Sequence, residues 1–232
     1  MNRIKSGIPG LDELIEGGFP EASSILVSGG PGTGKTITCM QYLYAGAKLY
    51  NEPGIYVTLE EGAHNLWWNV QRFKWDVQTL ERDNKLKIYK FEPTGEFTDL
   101  EVQAKRIVEK ARQMGAKRLV IDSITAFAFW TNDKAKIRYA IYVLIEELRK
   151  IRCTSLLACE TSGKKNEFSS FGVEEFLVDG IVMLHFVPPR HYLTVRKMRG
   201  TDHDASVHPL KFGESGVSVD AKEKINWEDL KE

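Results

Sequence analysis

The sequence predicts an α/β protein with an open, mostly parallel central sheet, helices on both faces, and an antiparallel extension towards the C-terminus. Two observations carry this prediction. Short β-branched runs alternate with helical patterns over the first two-thirds of the chain, and after about Gly172 the rhythm changes to strands separated by turns. The runs Ser24–Ser28, Ile55–Leu59, Leu86–Phe91, Arg118–Ile121 and Thr154–Ala158 read as strands, most of them apolar enough to be buried on both faces as parallel strands are. Between them, Thr36–Tyr50, Asn65–Trp75, Leu100–Met114 and Lys136–Ile151 repeat apolar residues at three- and four-residue spacing, the pattern of crossover helices. The extension comprises Ile181–Phe186, Tyr192–Met198, Val207–Phe212 and Val217–Val219, with Pro188-Pro189-Arg190-His191 as its clearest turn. No linker, repeat or low-complexity tract interrupts the 232 residues, so one domain is predicted, with Ala221–Glu232 as a frayed tail or a small docking helix.

Thirty-two basic residues balance thirty-two acidic ones. That balance excludes a wholesale basic surface for polyanions and leaves only local patches for nucleic acid. Cys39, Cys153 and Cys159 form neither an even set nor a C-x-x-C pair, which argues against disulfides and a zinc ribbon and for a reducing cytoplasmic location. No segment approaches a membrane span, and Met1-Asn2-Arg3-Ile4-Lys5 leads into glycines rather than a signal-peptide core.

Gly29-Gly30-Pro31-Gly32-Thr33-Gly34-Lys35-Thr36 follows a strand, opens a helix, and fits G-x-x-x-x-G-K-[ST]. Glycines let the backbone curl so that successive N–H groups face phosphate oxygens, and the positive end of the helix favours the same anion. Lys35 is placed to reach the β- and γ-phosphates of a nucleotide and Thr36 to coordinate Mg²⁺. A dinucleotide turn fails at its own spacing, because with Gly30 and Gly32 as the first two glycines the third position is Lys35. Arg118-Leu119-Val120-Ile121-Asp122 is an apolar strand with an acid at its tip, which makes Asp122 the second Mg²⁺ residue. The strand Gly54–Leu59 runs into Glu60-Glu61, where α/β sheets bind ligands. General-base duty is assigned to that pair, of which only one can aim directly at the γ-phosphate unless the strand has already ended.

Taken together, Ser6-Gly7-Ile8-Pro9-Gly10-Leu11-Asp12, Gly17-Gly18-Phe19-Pro20, the phosphate loop, Tyr56–Glu61, Ile121-Asp122-Ser123, Gly172–Phe176 and Lys197-Met198-Arg199-Gly200-Thr201-Asp202-His203 resemble the KaiC branch of the RecA/RadA ATPase superfamily, over roughly residues 3 to 220. With one domain where the clock protein has two, the chain is similar to the single-domain KaiC-like proteins of archaea. The resemblance implies a RecA-like P-loop core, ATP with Mg²⁺, and a ring of identical subunits, commonly a hexamer, with nucleotide held between neighbours. It implies catalytic roles for Glu60 and Glu61, sends Lys197 and Arg199 to the γ-phosphate of the adjacent subunit, and places Thr201 and His203 near the nucleotide. The clock protein's second domain phosphorylates itself on an adjacent Ser/Thr pair; Ser169-Ser170 here stand in a different context and are expected to be turn residues.

Glu160 and Thr161, after the fifth strand, are candidate γ-phosphate sensors, and Gly163-Lys164-Lys165 beyond them lie where RecA-like recombinases touch DNA. Phe127, Phe129 and Trp130 could stack on bases, although core or interface packing is the preferred reading. Three functions are compatible with these residues: a KaiC-like ATPase ring whose nucleotide state switches contacts with a protein partner, a RadA-type paralogue on single-stranded DNA, or a scaffold that binds nucleotide without hydrolysing it. The first is preferred, since the charge is balanced, no separate DNA-binding domain is present and the catalytic set is nearly complete.

Overall fold

A computed structural model of the chain describes residues 2–92, 99–161 and 168–230. The elements run β1 (Arg3–Ile4), β2 (Phe19–Pro20), β3 (Ser24–Gly29), α1 (Lys35–Leu49), β4 (Gly54–Thr58), α2 (Ala63–Val70), α3 (Val77–Arg82), β5 (Leu86–Lys90), α4 (Leu100–Met114), β6 (Arg118–Asp122), α5 (Lys134–Lys150), β7 (Thr154–Glu160), α6 (Glu174–Leu177), β8 (Gly180–Val187), β9 (Arg190–Met198), β10 (Val207–Gly213) and β11 (Gly216–Val219). β1 and β2 pair antiparallel as a small separate sheet. The other nine strands form one sheet in the order β11-β10-β9-β8-β3-β7-β6-β4-β5.

Alternation along the strands builds two cores, one on each face. Ile25 and Val27 of β3 and Tyr56 of β4 join Met40, Tyr42 and Leu43 of α1 on one side. Leu26, Ile55 and Val57 turn to the other, against Ile107 of α4 and Leu144 of α5. The covering helices start where the sequence supplies a cap: the carboxylates of Asp99 and Asp133 accept backbone N–H groups in the first turns of α4 and α5.

Two expectations need correcting. Ile181–Phe186 lies in β8, which pairs parallel with β3 and antiparallel with β9, so the antiparallel extension starts one strand later than the turn pattern suggests. The predicted helix Asn65–Trp75 is broken: α2 ends at Val70, a 3-10 turn spans Gln71–Phe73, and Lys74 takes a left-handed φ of 55°. Asp76 then caps a new helix, α3, by accepting from the Thr79 N–H at 3.1 Å. Trp75 leaves the helical pattern to stack on Tyr44 and Phe73. Of the tail, Ile225 bridges to Val207 and Trp227 sets its ring edge-on to His185, so residues up to Trp227 dock on the extension.

Arg118 opens β6 and is fully buried. Its Nε donates to Glu52 at 2.7 Å, its Nη1 donates to the Tyr42 carbonyl at 2.8 Å, and its guanidinium lies over the Tyr42 ring. A buried cation stripped of its counter-ion is costly. Glu52→Ala is therefore expected to destabilise the fold by about 3 kcal/mol, towards the low end of the range for broken buried pairs because Glu52 is partly exposed. Urea denaturation measures it, and a loss below about 1 kcal/mol, the size of an exposed pair, would show that solvent replaces the carboxylate.

Candidate functional site

β3 ends at Gly29 and α1 begins at Lys35, so the six residues from Gly29 to Gly34 wrap the N-terminus of a fifteen-residue helix at the carboxyl edge of the sheet. Gly34 is required on two counts: its φ is 96°, and a Cβ there would meet Phe212 Cζ at 2.4 Å. No side chain caps α1, so its first N–H groups are left to face the cleft as an anion cradle. Lys35 is buried and donates to the Gly29 and Gly30 carbonyls at 2.8 and 3.0 Å, which holds its ammonium along the loop.

Three strand ends bring the acids to this cradle. The Thr36 hydroxyl donates to Asp122 Oδ2 at 2.9 Å. Tyr56, buried in β4, donates its phenol to the same oxygen; burial first and then the Asp122 charge push that phenol well above its ordinary range, so it stays a donor. This tyrosine orients Asp122, and nothing in the sequence marks it beyond an aromatic in an apolar strand. A hydroxyl and a carboxylate oxygen side by side beneath a phosphate cradle are the hard oxygen donors that Mg²⁺ takes.

Beyond the end of β4, Glu60 Oε1 accepts from the Ser123 hydroxyl at 3.2 Å. Partial burial raises the Glu60 carboxyl above the usual carboxylate range, the Ser123 hydrogen bond lowers it, and the charges of Glu160, Asp122 and Glu61 raise it again. Glu61 follows with its carbonyl held by the Thr58 hydroxyl at 2.8 Å. β4 has ended at Thr58, so strand alternation does not force the two side chains apart, and both line the cleft along with Glu160 of β7.

The cleft encloses about 1240 Å³. Its outer wall comes from the extension: Arg190 and His191 at the β8–β9 hairpin, and Lys211 and Phe212 of β10. His191 is stacked on Phe186 and donates from Nε2 to the Gly32 carbonyl at 3.0 Å. Sequence reasoning missed these four residues, because only the placement of β8 beside β3 brings the hairpin to the phosphate loop.

Lys197 and Arg199 lie elsewhere and do not line their own chain's cleft. Lys197 Nζ donates to the carbonyls of Glu175 and Val178 at 2.9 and 2.7 Å, and Arg199 Nη2 to that of Phe176 at 3.2 Å. Burial, and then Arg199, hold the Lys197 ammonium below its ordinary value. Thr201 accepts from Arg3 at 2.5 Å and His203 Nδ1 bonds the Thr201 carbonyl at 3.3 Å, so these two also stand outside the cleft. Phe127 is buried and Trp130 packs on it and on Phe91, whereas Phe129 is exposed. The Ser169 hydroxyl donates to Glu175 and that of Ser170 to the Glu160 carbonyl. Lys164 and Lys165 lie outside the described residues. Among the described residues no helix is long and apolar enough to cross a membrane.

Compared with known proteins, residues 4–224 match the family model described as "ATPase: KaiC". The chain belongs to the KaiC family of ATPases. This KaiC-like domain is 35% identical to a UPF0273 protein of Methanocaldococcus jannaschii, over 94% of the chain and 96% of that protein. It is 38% identical to the circadian clock oscillator protein KaiC of Prochlorococcus marinus, where 94% of the chain covers 45% of the relative. Among solved structures, a KaiC-like protein of Pyrococcus horikoshii superimposes with a TM-score of 0.83 at 39% identity, covering 94% of this chain and 98% of that one. The family accounts for the α/β fold with its mostly parallel sheet and for a P-loop ATPase domain.

Proposed function

We propose that this KaiC-like domain hydrolyses ATP with Mg²⁺ as a homo-oligomeric, six-membered ring whose nucleotide state switches contacts with a protein partner in the cytoplasm. The observation that carries the chemistry is the convergence of the Thr36–Asp122 pair and the Ser123-held Glu60 on the mouth of the phosphate loop. The loop from Gly29 to Thr36, through its backbone N–H groups and Lys35, binds the phosphates. Thr36 and Asp122 would hold Mg²⁺, which when bound neutralises phosphate charge. Glu60, its proton affinity raised by partial burial, takes the proton of the attacking water, with Glu61 beside it and Glu160 on the third strand end. Arg199 lies half-exposed next to exposed Phe176 and off its own cleft, which supports a role for Lys197 and Arg199 in the neighbour's site, with Thr201 and His203 on the same segment. The internally bonded hydroxyls of Ser169 and Ser170 support a turn role for them rather than self-phosphorylation. A single-stranded-DNA function would draw on Lys164, Lys165 and exposed Phe129, while the burial of Phe127 and the packing of Trp130 on it speak for the core reading of those two.

The base assignment has a pH signature. Hydrolysis needs Glu60 ionised, so kcat/KM falls as pH drops through its raised pKa. Ser123→Ala removes the hydrogen bond that favours the carboxylate, raises that pKa further, and should move the acid limb of the profile to higher pH. A limb that stays in place would take Glu60 out of the base role.

A further inference from the structure

We infer that Glu174 is a positioning residue, fixing the Lys197–Arg199 pair that one subunit offers to the next and tying that pair to the nucleotide end of its own sheet. The inference rests on the reading of those two cations as acting in the neighbour's site. Glu174 is the first residue of α6 and is fully buried. One carboxyl oxygen accepts the Phe171 N–H at 3.2 Å and lies 3.6 Å from the Cys159 thiol; the other accepts the Val173 N–H at 3.0 Å. A single side chain thereby closes the loop before α6 and grips the last buried residue of β7. Burial, with the Glu174 carboxyl beside it, pushes the Cys159 thiol up to about 12, so it remains a protonated, packed neighbour.

The other end of the same short helix carries the cations. Lys197 and Arg199 together bond three carbonyls, those of Glu175, Phe176 and Val178. Carbonyls direct a cation without neutralising it, which leaves the charge for a phosphate. Arg199 is also ion-paired with Asp179 at 3.6 Å, a carboxylate it shares with Arg149, which bonds both Asp179 oxygens at 2.9 and 3.0 Å. Where α6 sits therefore decides where both cations point.

The loop before α6 is also bonded to the chain's own cleft. The Ser170 hydroxyl donates to the carbonyl of Glu160, whose carboxyl lines the cleft. The Glu160 N–H donates to Thr125 Oγ1 at 3.0 Å, and Thr125 lies two residues beyond Ser123, the partner of Glu60. The loop that sets the cations is thus hydrogen-bonded to the strand end that borders its own chain's cleft.

The test uses Glu174→Gln, which keeps size and shape but turns an amide N–H₂ towards backbone N–H donors. ATP affinity should stay within about twofold while kcat falls about 10–10²-fold, the size of an ångström-scale misplacement. The defect should also be directional. Mixed with Lys35→Ala subunits, which supply correctly placed cations, Glu174→Gln subunits should regain activity; mixed with Arg199→Ala subunits they should not. Arg199→Ala mixed with Lys35→Ala is the control. If the control pair fails to recover, the trans reading itself fails; if it recovers and the Glu174→Gln pair does not, only the role of Glu174 is overturned. Wild-type turnover by Glu174→Gln would also overturn it. Should that variant fold poorly, Ser169→Ala removes the Glu175 and Gly172 bonds of the same loop without touching a buried carboxylate, and must show a smaller defect with the same direction.

Discussion

A chain carrying Glu60→Gln and Glu61→Gln is expected to bind ATP nearly as tightly as the unaltered protein and to hydrolyse it about 10²–10⁴-fold more slowly, the usual contribution of a positioned base. Binding should survive because the phosphate loop, Lys35 and the Thr36–Asp122 pair make no hydrogen bond to either glutamate side chain. Folding should survive because both residues keep much of their surface in solvent and a glutamine at 60 can still accept from Ser123. The single variants should be unequal. Glu60 alone is fixed by a hydroxyl and has its proton affinity raised, so Glu60→Gln should account for most of the loss. Lys35→Ala gives the opposite pattern, losing nucleotide binding with the acids intact. Fluorescent-nucleotide titration beside steady-state turnover separates the cases, and wild-type turnover by the double variant would require another base.

What the sequence disclosed and what it withheld divide along local and non-local lines. Strand β3, the glycine loop and α1 are contiguous, and each obeys a local rule, so the strand–loop–helix unit was legible in the sequence. The place of Asp122 at the tip of β6 was legible in an apolar run that ends in an acid. Tyr56 was not, since its role depends on β4 and β6 being neighbours, which brings its hydroxyl to Asp122. The Arg190–His191 hairpin and Phe212 were hidden for the same reason: 159 residues separate His191 from the Gly32 carbonyl it bonds. The true start of the extension had a local signal, for Gly180–Leu184 is a continuous apolar run with none of the alternation of a half-exposed strand, as suits burial beside β3. The break after Val70 had a weaker one, an aspartate placed to cap α3.

Arg199→Ala subunits should bind ATP and turn it over about 10³–10⁵-fold more slowly, the usual loss when an arginine that stabilises transition-state charge is removed. Lys197→Ala should act in the same direction, because the two residues lie two apart on β9 and its end and reach the same short helix. The cleft of the same chain already has Arg72, Arg190 and Lys211 on its walls, so an own-chain role for these three would leave Arg199→Ala nearly silent. The decisive result is therefore the mixture. Lys35→Ala subunits cannot hold ATP but present intact cations, while Arg199→Ala subunits hold ATP but present none. In a head-to-tail ring every site lies between two subunits. Random co-assembly makes half the subunits competent to bind ATP and gives half of those a competent neighbour, so activity should return to about a quarter of wild type. Recovery should appear only after the two are exchanged into common rings, and should vanish on dilution below assembly. Two inactive variants that stay inactive in verified mixed rings would place Lys197 and Arg199 in service of their own chain, as ties between β9 and α6.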